Sequence, residues 1–227
     1  MVNSDFGGEQ PANYEQKCLC VLVVDVSGSM QGDPMQQLNT GLQSFHQAII
    51  SSKDPVTPNR LEVALVTFDN EIKVVQQPSL VFDFSMPVLQ CGGTTKLVDG
   101  VREGMRLIDE RKAWYKSTHQ DYYRPYLILI TDGEPDSDQD VVGLGGQLRA
   151  AVDGKQFVFW AFGTDAANMA TLSKLAHPST PPLKFSSADF SEFFKWLSKS
   201  FSQITASKEG ATLDLSPDSP SLFQHTI

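Results

Sequence analysis

Two kinds of hydrophobic pattern alternate along most of this chain, and they predict its secondary structure. Short apolar runs, typical of buried strands, are separated by segments in which apolar residues recur at steps of three and four, as on one face of a helix. Strands are predicted at 18–24, 61–68, 72–76, 126–130, 157–162 and 183–185, and helices at 34–49, 97–108, 138–152, 168–176 and 190–204. The alternation of strand and helix predicts an α/β domain with a doubly wound, mostly parallel sheet and helices on both faces.

One edge of the predicted sheet departs from the parallel pattern. Only the three residues from Asp69 to Glu71 separate the second and third strands, and so short a link permits an antiparallel hairpin but not a parallel crossover. We therefore expect one antiparallel edge strand. Pro78 and Pro87 follow it, so any element between the third strand and Cys91 is expected to be short.

Local signals indicate where helices begin and how closely they pack. Asp33 followed by Pro34 fits an N-cap and a first helical position. Gly100 and Gly104 lie in the next predicted helix, and we expect them to let that helix pack close to the sheet. The polar interval 109–124 is predicted to be the end of that helix followed by a loop.

The composition of the chain changes near both ends. We divide it into a polar N-terminal segment (1–16), one α/β domain (17–205) and a Ser-, Pro- and Asp-rich tail (206–227). A solvated tail is the expected state of such a segment, with a short docking peptide around Leu222 and Phe223 as the alternative.

Composition and charge exclude several classes of function. The hydrophobic content of 41% and charged content of 20% are those of a globular protein. A net charge of −9 disfavours binding to nucleic acid or to anionic membranes. No apolar run approaches the length of a membrane span, and residues 1–17 lack the hydrophobic region of a signal peptide. We expect no nucleic-acid or membrane partner, and the sequence leaves the oligomeric state open.

The three cysteines bear on the compartment and on metal binding. Cys18, Cys20 and Cys91 form an odd set that fits a reducing compartment, so a cytoplasmic location is expected. Cys18 and Cys20 could be half of a zinc site, but no matching Cys or His pair follows them. Buried structural thiols in the first strand are the favoured interpretation.

A cluster of oxygen-bearing side chains follows the first strand directly. In an open parallel sheet, ligands bind beyond the carboxyl ends of the strands, which is where this cluster lies. Asp25, Ser27 and Ser29 alternate along the chain and can point to one side, while Gly28 allows a sharp turn. One carboxylate and two hydroxyls directed at a common point suit a hard cation.

Two more segments bring oxygen donors to similar junctions. Segment 92–95, Gly-Gly-Thr-Thr, opens a predicted helix, and segment 131–133, Thr-Asp-Gly, ends the most hydrophobic predicted strand. Taken alone, each fits an N-cap or a turn. Because all three segments occur in order and in equivalent settings, they predict one site that includes Asp132 and either Thr94 or Thr95.

In this order the three motifs resemble the metal-ion-dependent adhesion site of von Willebrand factor A domains. The resemblance covers roughly residues 15 to 205 and implies their doubly wound, Rossmann-like fold. It also implies a division of roles among the donors. The implied hydroxyl ligands are Ser27, Ser29 and Thr94, whereas Asp25 and Asp132 bind the ion directly or hold its water molecules. Thr95 is the alternative to Thr94, which is preferred because the family's threonine follows the glycine pair.

The donor set also predicts the metal and the partner. Carboxylate and hydroxyl oxygens without sulfur or imidazole favour Mg2+, and Mn2+ or Ca2+ would also fit. Three neutral hydroxyls and two carboxylates leave a divalent ion incompletely neutralised on its solvent side. In the family, another protein often supplies an Asp or Glu carboxylate there, so we expect a protein partner that binds through the metal.

Two further strings resemble the bacterial TerY-like, tellurium-resistance branch of this family. One is Tyr-Arg-Pro at 123–125, which leads into the strand at 126–130 and then into Thr-Asp-Gly-Glu-Pro at 131–135. The other is Phe-Phe-Lys-Trp-Leu-Ser at 193–198. Membership would imply a cytoplasmic protein that acts with partners in the response to tellurite and other chemical stress.

Catalytic groups are not evident in the sequence, so a non-enzymatic function is expected. The chain has no Gly-x-Ser-x-Gly elbow and no phosphate-binding loop, and none of the four histidines lies in a motif beside a plausible nucleophile. An aspartyl-phosphate phosphatase with Asp25 as nucleophile would need a second aspartate where Ser27 stands. An adaptor subunit of an ATP-driven remodelling complex is another alternative.

The acidic run that follows Asp132 has two interpretations. It could form a second cation site, but a capped, solvated helix start is favoured. Its members are Glu134, Asp136, Asp138 and Asp140.

Overall fold

The strands of the described residues join in one mixed sheet. The computed structural model describes residues 9–132, 134–208, 213 and 215 of the 227-residue chain. Its strands are β1 (Cys18–Asp25), β2 (Leu61–Phe68), β3 (Ile72–Leu80), β4 (Tyr126–Thr131), β5 (Val158–Gly163) and β6 (Leu183–Lys184). In the order β3-β2-β1-β4-β5-β6, every neighbouring pair is parallel except β2 and β3. The predicted fold class, a mostly parallel α/β sheet with one antiparallel edge strand, is confirmed.

Helices cover both faces of this sheet. They are α1 (Asp33–Ile50), α2 (Thr57–Arg60), α3 (Leu97–Ser117), α4 (Val141–Asp153), α5 (Met169–Leu175) and α6 (Phe190–Ala206). On one face, apolar side chains of α1 and α6 such as Leu42 and Phe193 share a core with the sheet. On the other face, α3, α4 and α5 supply residues such as Val101, Leu148 and Leu172 to a second core. The predicted layer of helices on each face is therefore confirmed.

β1 lies between these two cores, which explains its near-continuous apolar sequence. Its even-numbered residues from Cys18 to Val24 pack under α1 and α6, and its odd-numbered residues from Leu19 to Val23 pack under α3. Burying each large aliphatic side chain contributes roughly 1.5–3 kcal/mol. Complete burial raises the pKa of both the Cys18 and the Cys20 thiol, so the interpretation of these cysteines as buried structural thiols is confirmed.

Two glycines of α3 allow the close packing that the sequence predicts. A Cβ atom on Gly104 would lie 2.7 Å from side-chain atoms of Leu127 and Val23. A Cβ atom on Gly100 would lie 2.8 Å from the Phe68 ring. These distances are shorter than side chains tolerate, so α3 can rest at this depth on β1, β2 and β4 only because both positions are glycine.

One strand runs further than the sequence predicts, whereas the end of α3 agrees with the prediction. β3 continues to Leu80, through Pro78, where a shorter strand is predicted. Pro78 is tolerated because β3 is an edge strand with one neighbour, and its pairing with β2 is interrupted by register shifts. α3 ends at Ser117 and a loop follows it, so the interval 109–124 contains the end of this helix and a loop, as predicted; Arg111 and Tyr115 in the last turns of α3 are buried.

Two helix starts also differ from the prediction. Asp33 is the first residue of α1 rather than its N-cap, and the N-cap is Gly32, whose φ of 89° is accessible to glycine. α4 begins at Val141, later than predicted, because Asp140 caps it by accepting a hydrogen bond from the Gly143 N–H group.

A buried ion pair joins the amino end of β2 to α3. The Arg111 guanidinium binds both carboxylate oxygens of Glu62 at 2.7 Å, and both side chains are almost fully buried. Tyr115 donates its hydroxyl to the same carboxylate at 2.6 Å, and Glu9 of the N-terminal segment also binds Arg111. Burial raises the pKa of Tyr115 well above its usual value.

The remaining expectations concern the ends of the chain and the membrane. No helix in the described ranges is long and apolar enough to cross a membrane. The division into 1–16, 17–205 and 206–227 stays a prediction. Leu222 and Phe223, the proposed docking peptide, lie outside the described residues.

Candidate metal centre

The candidate site lies where β1 and β4 end side by side. Parallel pairing aligns Val24 with Ile130, so the residues that follow them, Asp25 and Thr131, are neighbours. Thr131 donates its hydroxyl to the Asp25 Oδ2 atom, and both side chains are fully buried. This pairing places the carboxylate of Asp25 beneath the loops at the carboxyl edge of the sheet.

Four of the five predicted site residues form one continuous hydrogen-bond network. The Ser27 N–H group donates to Asp25 Oδ1 at 2.9 Å. The hydroxyls of Ser27 and Ser29 lie 2.9 Å apart, and the Ser29 hydroxyl donates to Asp132 Oδ1 at 2.8 Å. One turn of 3₁₀ helix, Gly28–Met30, bends the chain so that the two serines meet. The structure therefore brings Asp25, Ser27, Ser29 and Asp132 together.

The fifth predicted residue, Thr94, lies next to this network without joining it. Its segment contacts the serine turn through the Gly28 N–H group, which donates to the Gly93 carbonyl at 3.2 Å. The Thr94 side chain is exposed, and its hydroxyl donates to Asp136 Oδ2 at 2.7 Å. Thr95 is buried, and its backbone N–H group donates to the other oxygen of Asp136 at 3.2 Å. Of the two threonines, Thr94 is therefore the one with an exposed side chain.

Sequence reasoning did not assign Asp136 to this site. In the sequence, Asp136 belongs to an acidic helix start, and nothing there connects it to Thr94, which lies 42 positions away. Two other members of the acidic run make separate contacts: Glu134 accepts a hydrogen bond from the Asn168 side chain, and Asp140 caps α4. No three His, Cys, Asp or Glu side chains among the described residues gather as a metal site, so a second cation site in this run is not supported.

The glycine pair determines the path of the Thr94 segment. Gly93 has a φ of 75°, and a Cβ atom there would lie 2.0 Å from Asn70 Oδ1. The Gly92 N–H group donates to the Val26 carbonyl at 2.9 Å. Only glycine fits at position 93, and the backbone bond ties this segment to the end of β1.

Burial shifts both carboxyls of the network in the same direction. It raises the pKa of Asp25 to about 6, an effect only partly offset by hydrogen bonds from Ser27 and Thr131. Burial also raises the pKa of Asp132, although the Ser29 hydroxyl acts in the opposite direction. Among the residues that the structure describes, no basic side chain is one of the main groups that shift the pKa of either carboxyl.

These observations fit a hard cation of the Mg2+ type. Two buried carboxylates without a basic partner need a compensating charge, and the hydroxyls beside them are neutral oxygen donors. The described residues provide no imidazole or thiol near the network, so the donor set is unlike that of zinc. Gly133, the last residue of the third motif, lies outside the described residues.

Histidine chemistry does not supply an alternative site. His177 contacts a hydroxyl close to it in the sequence: its Nδ1 lies 2.6 Å from Ser179 Oγ, and its Nε2 lies 3.0 Å from Asp153. The same Nδ1 accepts the Ser179 N–H group, so the contact belongs to an exposed turn rather than to a substrate cleft. His46 is buried and binds backbone carbonyls. His225 lies outside the described residues.

Known proteins resemble this chain in sequence profile and in fold. The profile of the von Willebrand factor type A domain matches residues 20–200. No curated protein sequence is significantly similar.

Three solved structures share the fold. The pilus adhesin SpaC from Lactobacillus rhamnosus GG is 16% identical with a TM-score of 0.67, over 86% of this chain and 32% of SpaC. The domain of the type V pili tip protein Mfa5 from Porphyromonas gingivalis is 11% identical with a TM-score of 0.60, and the match covers 88% of this chain and 99% of that domain. Proximal thread matrix protein 1 from the mussel byssus, in its second crystal form, is 17% identical with a TM-score of 0.51. The match covers 82% of this chain and 46% of the thread protein. The chain thus spans less than half the length of SpaC and of the thread protein.

Proposed function

The chain belongs to the von Willebrand factor type A domain family, and we propose that it is a Mg2+-dependent protein-interaction module. Domains of this family are commonly protein-interaction or adhesion modules. The single observation that carries the proposal is the network that links Asp25, Ser27, Ser29 and Asp132 at the carboxyl edge of the sheet.

Each residue of the network has a role in this proposal. Ser27, Ser29 and Thr94 would offer hydroxyl oxygens to the ion, and Asp25 and Asp132 would bind it or orient its water molecules. Bound there, Mg2+ would supply positive charge for an Asp or Glu carboxylate of a partner protein. Mn2+ or Ca2+ could replace it, because the donors are all oxygen atoms.

A non-enzymatic role is part of the proposal. In the described residues, the buried polar groups near β1 and β4 are engaged with one another, and no nucleophile there contacts a histidine. The phosphatase alternative lacks its second aspartate, since Ser27 occupies that position. The adaptor alternative would use the same surface with a different partner, so copurification with an ATPase would distinguish it.

The partner system is inferred from the resemblance to the TerY-like branch. Tyr123 of its Tyr-Arg-Pro string donates to the Thr205 carbonyl at 3.1 Å and so holds the end of α6. Trp196 and Leu197 of the second string are buried in the core under α6. We propose a cytoplasmic protein of a tellurite or chemical-stress response, for which the free cysteines are additional support.

Partner capture with and without Mg2+ tests the function. Wild type is expected to retain partners from a cell extract in Mg2+ and to release them in EDTA, whereas Ser27→Ala/Ser29→Ala retains none in either. Ser117→Ala/Ser173→Ala is a matched control, since both hydroxyls bind only carbonyls of their own helices. Equal capture by wild type in Mg2+ and in EDTA would overturn the proposal.

A further inference from the structure

A long connection without helix or strand leads into the candidate metal centre. It covers residues 81–96, between β3 and α3, and contains Gly92, Gly93 and Thr94 near its end. Connections of this length are uncommon in compact domains and are usually functional. Met86 and Leu89 bury their side chains in the core under α1, so the connection is packed onto the domain.

Side chains on one face of α1 hold the backbone of this connection. Asn39 makes a reciprocal pair with Leu89: its Nδ2 donates to the Leu89 carbonyl at 2.9 Å, and the Leu89 N–H group donates to Asn39 Oδ1 at 2.7 Å. One turn later, Gln43 Nε2 donates to the Met86 carbonyl at 2.7 Å.

His46 completes the row. Its Nε2 lies 2.9 Å from the Val81 carbonyl and 3.0 Å from the Phe84 carbonyl, so this nitrogen carries the proton and donates to both. Asn39, Gln43 and His46 are spaced by four and three residues, which places them on one side of α1. We call these three residues the α1 polar row.

The α1 polar row accounts for the backbone hydrogen bonds in the middle of the connection. Apart from these bonds to the α1 polar row, the backbone groups of 84–91 form no hydrogen bond with any described residue. A backbone segment without such partners would depend on water and on apolar contacts alone. The row therefore sets where the connection lies along α1.

The same helix also carries the other side of the site. α1 begins at Asp33, directly after the turn that holds Ser27 and Ser29. Close to Thr94, the connection is also bonded to the end of β1 through Gly92 and to the serine turn through Gly93. Displacement of the connection relative to α1 would strain these bonds and move Thr94 relative to the two serines. α1 thus adjoins the serine turn and also holds the connection that leads to Thr94, which are two of the three segments that supply candidate oxygen donors.

We propose that Asn39, Gln43 and His46 are positioning residues for the metal centre, which they serve by holding the 81–91 segment at a fixed place on α1. The inference rests on the proposed function, because it concerns the affinity of that site for a divalent ion. Loss of partners that orient ligand-bearing groups typically weakens metal binding by about 10- to 100-fold. We expect about 10-fold weaker binding for each single variant.

The test measures Mn2+ affinity by electron paramagnetic resonance on the full chain, well below the unfolding temperature. Asn39→Ala, Gln43→Ala and His46→Leu are expected to raise the Kd for Mn2+ about 10-fold. His46→Gln should restore near-wild-type affinity, because its amide offers two N–H donors. Gln47→Ala is the matched control for Gln43→Ala, since Gln47 is also exposed on α1 but binds Ser51 of its own helix end.

Hydrogen exchange in EDTA separates positioning from general stability. The Leu89 and Gly92 amides should exchange faster in Asn39→Ala, while amides of β1 and β4 keep their wild-type rates. Wild-type Mn2+ affinity in all three variants would overturn this inference and leave the proposed function standing. Uniformly faster exchange across the sheet would also overturn it. Failure of wild type to bind Mn2+ would instead overturn the proposed function and the inference with it.

Discussion

Ser29 and Asp132, which lie 103 positions apart in the chain, share a hydrogen bond of 2.8 Å between Ser29 Oγ and Asp132 Oδ1. This bond joins the segment after β1 to the segment after β4. Because Ser29 also contacts Ser27, it connects the buried carboxyl of Asp132 with the turn that follows Asp25.

Mg2+ should stabilise the folded protein through Asp132. At free Mg2+ of about 100 times Kd, binding to the folded state alone adds about 2.7 kcal/mol. For a chain of this size, that is a rise in Tm of roughly 5 to 10 °C relative to EDTA. Asp132→Asn should abolish the rise, while Asp109→Asn, an exposed aspartate of α3, should keep it. Differential scanning fluorimetry provides the measurement, and an equal rise in Asp132→Asn would contradict the prediction.

Thr94 rather than Thr95 should contribute to metal affinity. Thr94 has an exposed side chain in the segment beside the serine turn, whereas Thr95 is buried. Thr94→Val is expected to weaken Mn2+ binding by about 10-fold or more, and Thr94→Ser should retain it because the oxygen remains. Thr95→Val should bind as wild type. Isothermal titration with Mn2+ compares the three variants, and the reverse ranking would assign the ligand to Thr95.

Gly93 should tolerate no side chain, whereas Gly92 should. A Cβ atom at position 93 meets Asn70 at 2.0 Å and requires a positive φ, but a Cβ atom at position 92 meets nothing within 4 Å. Gly93→Ala should therefore destabilise the fold by about 1–3 kcal/mol and weaken Mn2+ binding. Gly92→Ala should change the free energy of unfolding in urea by less than about 1 kcal/mol. Equal effects of the two variants would refute this account of the loop.

Removal of one partner of the buried ion pair should destabilise the domain strongly. Glu62→Met removes the carboxylate that binds the buried Arg111 guanidinium through both oxygens, and such changes typically cost about 3–5 kcal/mol. The double change Glu62→Met/Arg111→Met should recover part of the loss, because the Arg111 guanidinium is then no longer buried without Glu62. Glu71→Gln, which breaks an exposed pair with Lys73, should have no measurable effect. Urea unfolding gives all three values.

Stability should fall steeply in alkaline solution. Burial raises the pKa of Cys18 and Cys20 above the usual 9.0, and of Tyr115 and Tyr126 above 10.0. Each group keeps its proton when folded, so its contribution to stability is complete below the usual pKa and is lost as the pH rises above it.

The size of this alkaline effect can be measured. If all four groups ionise on unfolding, the free energy of unfolding falls by about 5 kcal/mol per pH unit above roughly pH 10. Cys18→Ala/Cys20→Ala should reduce the slope by about half, and Cys91→Ala, at a partly exposed thiol, should not change it. A slope unaffected by the double change would show that these thiols do not retain their protons.

The sequence alone predicted the main elements and the candidate oxygen donors. Strand and helix periodicity is a local property, because the spacing of apolar residues close together in the sequence shows which face of an element is buried. This is why β1 and the stripe of α1 from Leu38 to Ile49 were predicted correctly. Asp25, Ser27 and Ser29 could be grouped for the same reason, since they lie within one turn.

Apart from the meeting of Asp132 with the serine turn, which the motifs predict, only the tertiary structure decided which distant groups meet. Nothing local links Thr94 to Asp136, Glu62 to Arg111, or the α1 polar row to segment 81–91. These contacts depend on how loops return across the end of the sheet, and several choices would satisfy the same hydrophobic pattern. The extension of α3 beyond Ile108 has this cause too, because its polar residues are buried only once Glu62 is beside them. A polar side chain shows in sequence that it needs a partner, but the partner is selected by the packing of the whole domain.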